Sequence, residues 1–128
     1  LEYRMTSVLN VDSIAAKDGT SPVELTKQQA SKMFVNFNGT STVAVRSSLN
    51  VSSVTDVSTG RYRPNYTNNF DSAGDYSFHV TSGVLGATWG LQQLSTFAAG
   101  STEFILYNSA GTAYDNSIVP CTADGDLA

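Results

Sequence analysis

The chain holds one cysteine, one histidine and one tryptophan, and only seven lysines and arginines in 128 residues. A lone cysteine, Cys121, excludes an internal disulfide. The shortage of bases excludes a nucleic-acid partner, because phosphate-backbone binding needs clustered Lys and Arg. The closest basic pair is Arg61 and Arg63. No apolar run approaches the ~18 residues of a membrane-crossing helix, so membrane insertion is not expected. No basic start followed by an apolar core marks a secretory signal. Charged residues of either sign make up 14% of the chain, against about a quarter in ordinary soluble domains.

What replaces charge is hydroxyl. Thirty-one of the 128 residues are Ser or Thr, and the net charge is −4 with a pI near 4.6. Such a surface is neutral and low in Lys, and resembles that of extracellular all-β modules more than that of cytosolic enzymes. Apolar residues at 41% suit a globular protein. A chain of this length suits one domain with an additional arm and buries roughly two-thirds of its unfolded surface, enough to fold without a disulfide or metal.

Two regions read differently. Residues 1–30 carry scattered apolar anchors (Val8, Leu9, Val11, Ile14) around Asp-Gly and Ser-Pro turn signals, and fit neither the helical nor the strand period. They read as an extended arm or attachment segment. Ser21-Pro22-Val23-Glu24 and Thr26-Lys27-Gln28-Gln29 have capping-box spacing, so at most two helical turns are expected around Thr26 to Lys32. From residue 31 to residue 128 the pattern is β.

Asn38-Gly39 between apolar runs is a strong hairpin signal. A two-residue turn there pairs Phe37 with Thr40, and Phe34 with Val43 on the opposite face. Both faces then carry apolar residues, so cover is expected on both: a second sheet on one side, with another copy of the chain a candidate for the other. A longer turn would shift the register. Arg61–Tyr66 alternates, with Tyr62, Pro64 and Tyr66 opposite Arg61, Arg63 and Asn65; Pro64 predicts an edge strand or a bulge. Tyr76, Phe78 and Val80 alternate inward. Glu103–Tyr107 reads as a strand, Asn108–Gly111 as a turn and Thr112–Cys121 as a further strand. The stretch with Trp89 reads as a strand plus a long loop. Short strands at turn-marked spacing indicate a β-sandwich or barrel. We expect an all-β, antiparallel, jelly-roll-like sandwich.

Residues able to carry chemistry are sparse. His79 sits at an outward strand position; a triad also needs an orienting acid and an oxyanion hole, and no Gly-x-Ser-x-Gly elbow is present. Cys121 has no basic neighbour in sequence to favour a thiolate and reads as a small buried hydrophobe. Asp71 with Asp75, and Asp124 with Asp126, lack the longer acid pattern of a calcium loop and read as solvated turns. No catalytic residue, metal or cofactor is expected. The better candidates lie in Arg61–Phe70, where aromatic, amide and hydroxyl groups suit a sugar or a protein surface. Tyr62 and Tyr66 compete for a core role. Asn65, Asn68, Asn69 and Phe70 form the candidate contact set, the loop residues above all. Asn38, Asn50 and Asn65 each begin an Asn-x-Ser/Thr triplet.

The stretches Leu9–Asp12, Asp18–Val23, Leu25–Gln28, Val35–Thr40, Thr42–Arg46, Asn50–Asp56 and Gly125–Ala128 together resemble the short tail-fibre-like structural proteins of marine bacteriophages, including cyanobacterial phages. The resemblance covers most of the chain, is dense between residues 8 and 56, and thins from Thr81 to Gly100. Phe34 stands where these proteins tend to have Trp, and Asp124 where they have an apolar residue; Leu1–Arg4 precede the usual Met5 start. The resemblance implies a virion surface protein. It would be a homotrimer, bound to other virion proteins through residues 1–30, whose distal face contacts a host surface glycan or outer-membrane protein without catalysis. A capsid- or tail-decorating trimer is the alternative, and a glycan-cleaving spike fragment a third reading.

Overall fold

The computed structural model describes residues 17–19, 29–81 and 91–126. Among them there are eight strands and no helix: β1 (Gln29–Asn38), β2 (Ala44–Leu49), β3 (Val51–Ser58), β4 (Arg61–Tyr66), β5 (Ser77–Val80), β6 (Leu91–Ala98), β7 (Ser101–Tyr107) and β8 (Val119–Asp126). They form two antiparallel four-stranded sheets, β2-β1-β8-β5 and β3-β4-β7-β6. The pairs β1–β2, β3–β4 and β6–β7 are sequence neighbours joined within one sheet. β1 with β8 and β4 with β7 make nested pairings of early strands with late ones at the sheet centres. The arm lies largely outside the described residues. The helical turns expected up to Lys32 do not form over Gln29–Lys32, which already belong to β1.

The core is what strand alternation demands. Met33, Val35 and Phe37 of β1, Phe78 of β5, and Val119, Cys121 and Ala123 of β8 meet Tyr62, Pro64 and Tyr66 of β4 and Phe104 and Leu106 of β7. Phe37, Tyr62 and Phe104 interlock, with Phe37 and Tyr62 edge to face at 5.1 Å. At the other end Tyr66, Phe70 and Tyr76 cluster, the last two stacked at 4.2 Å. Their two tyrosine hydroxyls reach the fully buried Thr102, both at 2.6 Å, so the polar groups of this end are satisfied inside the core.

Three expectations are corrected. The first hairpin does not turn at Asn38-Gly39. It closes at Asn38↔Ala44 over the loop Gly39–Val43, which puts Phe34 opposite Leu49 rather than Val43. Asn38 Oδ1 accepts from Thr40 N and Oγ1, making an Asx turn, and the left-handed residue is Ser41 (φ 59°). Gly39 is instead pinned: its N–H donates to Asn116 O at 2.8 Å and its carbonyl accepts from the Tyr62 hydroxyl at 2.9 Å. Second, β4 is an interior strand despite Pro64. The β4–β7 pairing is interrupted between Tyr62↔Phe104 and Asn65↔Ser101, the stretch that holds Pro64, and the ring fills the core. Third, residues 112–118 are not a strand. They form a loop with one bridge, Tyr107↔Ala113, that closes the end of the core against Gly39 and Gly60.

Candidate functional site

Two sheet faces point away from the core, and they differ in kind. On the β2-β1-β8-β5 sheet, register aligns Leu49, Phe34, Thr122 and His79 across all four strands. Phe34 is 37% and Leu49 51% exposed in the single chain. The next row brings Asn36 beside Ser47 and Pro120. Asn36 Oδ1 is buried there without a hydrogen-bond partner. β2 is exposed along its whole length, and β3 nearly so, where each forms the open edge of its sheet. Both edges carry bulges, at Arg46 in β2 and at Ser52 and Val57 in β3. Bulges and charges on edges oppose ladder pairing with a neighbour.

The same face gathers a serine, a histidine and an acid. Ser31 Oγ donates to Asp124 Oδ1 at 2.6 Å, and His79 Nε2 lies 3.8 Å from Asp124 Oδ2. This order is wrong for nucleophilic catalysis: the acid holds the serine, and no imidazole stands between them to take its proton. Cys121 is buried and burial pushes its thiol pKa up, which suppresses the thiolate. Among the described residues no group of three or more His, Cys, Asp or Glu could hold a metal ion. Asp75 accepts from Ser72 Oγ within its turn, whereas Asp124 and Asp126, expected in a turn, belong to strand β8. No helix among them is long and apolar enough to cross a membrane.

The face of the β3-β4-β7-β6 sheet is polar and tightly bonded. Alternation turns Arg61, Arg63 and Asn65 outward from β4, where they meet Glu103 of β7. Arg61 Nε lies 3.2 Å from Glu103 Oε1, and Arg63 bonds Oε2 through Nε at 3.0 Å and through Nη2. Arg61 Nη2 also donates to Ser95 Oγ. The arginine side chains cover the carboxylate, which is 7% exposed while they remain 37% and 41% exposed. The hydrogen bonds from Arg63, with the nearby positive charges, hold the Glu103 pKa below its ordinary value against the opposing effect of burial. Asn65 Nδ2 donates to Ser53 Oγ and Thr55 Oγ1, which orders the hydroxyls of β3.

The four candidate contact residues separate. Asn65 lies on this polar face. Asn68 and Asn69 are exposed in the loop at its end, where the side chain of Asn50 clasps the Asn68 backbone: Nδ2 donates to Asn68 O at 3.0 Å, and Oδ1 accepts from Asn68 N at 2.6 Å. Phe70 is not a surface residue. It is 2% exposed, stacked on Tyr76, with Lys32 Nζ 4.9 Å above its ring. Tyr62 and Tyr66 are core residues. Sequence reasoning placed Arg61, Arg63 and Asn65 on one side, but did not bring Glu103 to them, because the pairing of β4 with β7 has no local signal.

No protein-family model, no curated protein and no solved structure matches the chain.

Proposed function

We propose that this chain is a non-catalytic virion structural protein, a tail-fibre or fibre-tip subunit. It works as a homotrimer of jelly-roll-like sandwiches on the virion surface and binds the host cell surface. Its segment 1–30 attaches the sandwich to other virion proteins. The resemblance between residues 8 and 56 supports the class, and the two-sheet sandwich suits it.

The observation that carries self-association is the Leu49–Phe34 row. It leaves large apolar side chains half-open at the middle and edge of the sheet, whereas the opposite face is polar. Burying a Phe or Leu side chain contributes roughly 1.5–3 kcal/mol, and threefold repetition multiplies it. The mass of the full chain in solution at micromolar concentration is the test. Three copies are expected, and Phe34→Ser with Leu49→Ser should return single chains that melt cooperatively. A wild-type monomer overturns the trimer. Imaging of intact particles tests the location, and absence from the tail overturns the fibre assignment.

A further inference from the structure

We propose that the outer face of the β3-β4-β7-β6 sheet binds an acidic saccharide, one that bears carboxylate or phosphate groups, through Arg61 and Arg63. It rests on the proposed function only in taking the saccharide to be part of a host surface. The chemistry is argued from the face itself.

The chain is acidic overall, at −4, yet among the described residues this face is not. Register places Arg61 and Arg63 outward and leaves Glu103 as the one acid among them. Asp56 of β3 pairs with the core residue Tyr62 and so belongs to the opposite side of its strand. The carboxylate is hidden and the guanidiniums are not. An approaching ligand therefore meets two cations whose counterion lies beneath them. A guanidinium has five N–H donors. Arg63 Nε and Nη2 bond Glu103 and Arg61 Nη2 bonds Ser95, whereas Arg61 Nε, 3.2 Å from Glu103 Oε1, is buried without a hydrogen-bond partner; among the described residues Nη1 of either arginine has no acceptor.

Glu103 also fixes both guanidiniums, so less side-chain freedom is lost when an anion binds. Their free forks suit the planar, two-point geometry of a carboxylate or phosphate. Alternate residues of a strand stand about 7 Å apart, a spacing that lets one acidic group or two successive ones engage both. Around the pair lie neutral acceptors and donors (Ser53, Thr55 and Ser95), oriented by Asn65 and Arg61, which complement sugar hydroxyls.

Titration calorimetry of the full chain with polygalacturonate, phosphorylated lipopolysaccharide, dextran and inorganic phosphate tests this. Binding to at least one of the two acidic polymers, weakened by added salt, with none to dextran, is expected. Inorganic phosphate competing at millimolar concentration marks phosphate as sufficient. Arg61→Gln should weaken binding about tenfold, the worth of one charge-assisted hydrogen bond. The double variant Arg63→Gln/Glu103→Gln avoids an orphaned charge and should bind about tenfold more weakly than Glu103→Gln alone. Glu103→Gln alone should strengthen it several-fold, since it removes the one acid of this face among the described residues while the Gln oxygen can still accept from Arg63 and hold it in place. A purely structural ion cluster would give the opposite sign.

Failure to bind either acidic polymer overturns the proposal, as does equal binding to dextran. So does a Glu103→Gln variant with unchanged melting temperature and weaker binding. A trimer that binds no acidic saccharide overturns this inference alone. A monomer that binds one overturns the trimer alone.

Discussion

Gly39→Ala is the sharpest test of how the sandwich closes at one end. A Cβ at position 39 would lie 2.4 Å from the Tyr62 hydroxyl oxygen and 2.6 Å from its Cζ, with Asn116 O at 3.1 Å. Tyr62 is fully buried between Phe37 and Phe104, so its ring cannot retreat. Overpacking of this kind costs about 1–3 kcal/mol. Displacing the ring also breaks the 2.6 Å bond from its hydroxyl to Asp115 Oδ1, a charge-assisted bond worth about 1.5–3 kcal/mol. Together these remove about 3–5 kcal/mol from a total of about 5–15 kcal/mol, and lower the Tm by roughly 10–20 °C. Tyr62→Phe does not rescue the variant, because Cζ stays in place.

Gly111→Ala is the control. Gly111 has φ +76° but no neighbour within 4 Å of an added Cβ, so it loses only the about 1–2 kcal/mol of left-handed strain. Differential scanning calorimetry of the variants decides. A hairpin turn needing positive φ at position 39 would accept Asn nearly as well as Gly. Crowding makes Gly39→Asn at least as damaging as Gly39→Ala. Should Gly39→Ala melt within two or three degrees of the parent, or Gly39→Asn prove the milder change, the reasoning fails.

Other outcomes follow from the same geometry. The folded-state pKa of Glu103 is depressed, so its ion pairs contribute stability that is fully present above the ordinary glutamate value of ~4.3 and is lost as pH falls through the folded value. Denaturant midpoints measured from pH 6 to pH 3 should fall less steeply for Glu103→Gln than for the parent. Cys121 should resist thiol reagents in the native protein and react at full stoichiometry in denaturant, since burial both shields it and raises its pKa; rapid native labelling would contradict this. Asn50 has φ +58° and clasps Asn68, so Asn50→Gly should lose about 1 kcal/mol, the clasp alone, and Asn50→Ala about 1 kcal/mol more through backbone strain. Equilibrium unfolding of the two variants separates the contributions.

Much of the fold could be read along the strands and little of it across them. Alternation set Tyr62, Pro64 and Tyr66 together on one side of their strand and turned Tyr76 and Phe78 inward, and all five are core residues, because a residue's face depends only on its own strand. Pairing depends on partners far away in sequence. Phe34↔Leu49 departs from the expected register because Asn38-Gly39 meets a tyrosine from another sheet and a backbone carbonyl near residue 116, neither of which a local turn signal contains. The cluster of Arg61, Arg63 and Glu103 was half-visible: the arginines alternate together, but the acid lies forty residues from Arg63. Phe70 looked like a loop aromatic because its neighbours are turn residues. It is drawn inward by Tyr76, whose own alternation was legible. Interior Pro64 shows that a missing donor excludes a strand from a sheet centre only when the ladder cannot open locally.

The hold on the Gly39 amide also bears on how the molecule ages. Asparagine followed by glycine loses ammonia when the glycine nitrogen attacks the side-chain carbonyl carbon, forming a cyclic imide that opens to aspartate or isoaspartate. Here that nitrogen is engaged with Asn116 O, and Asn38 Oδ1 is held by Thr40. A folded copy is therefore chemically quiet at this bond, and each extra negative charge that accumulates at Asn38 records time spent with this end of the sandwich open.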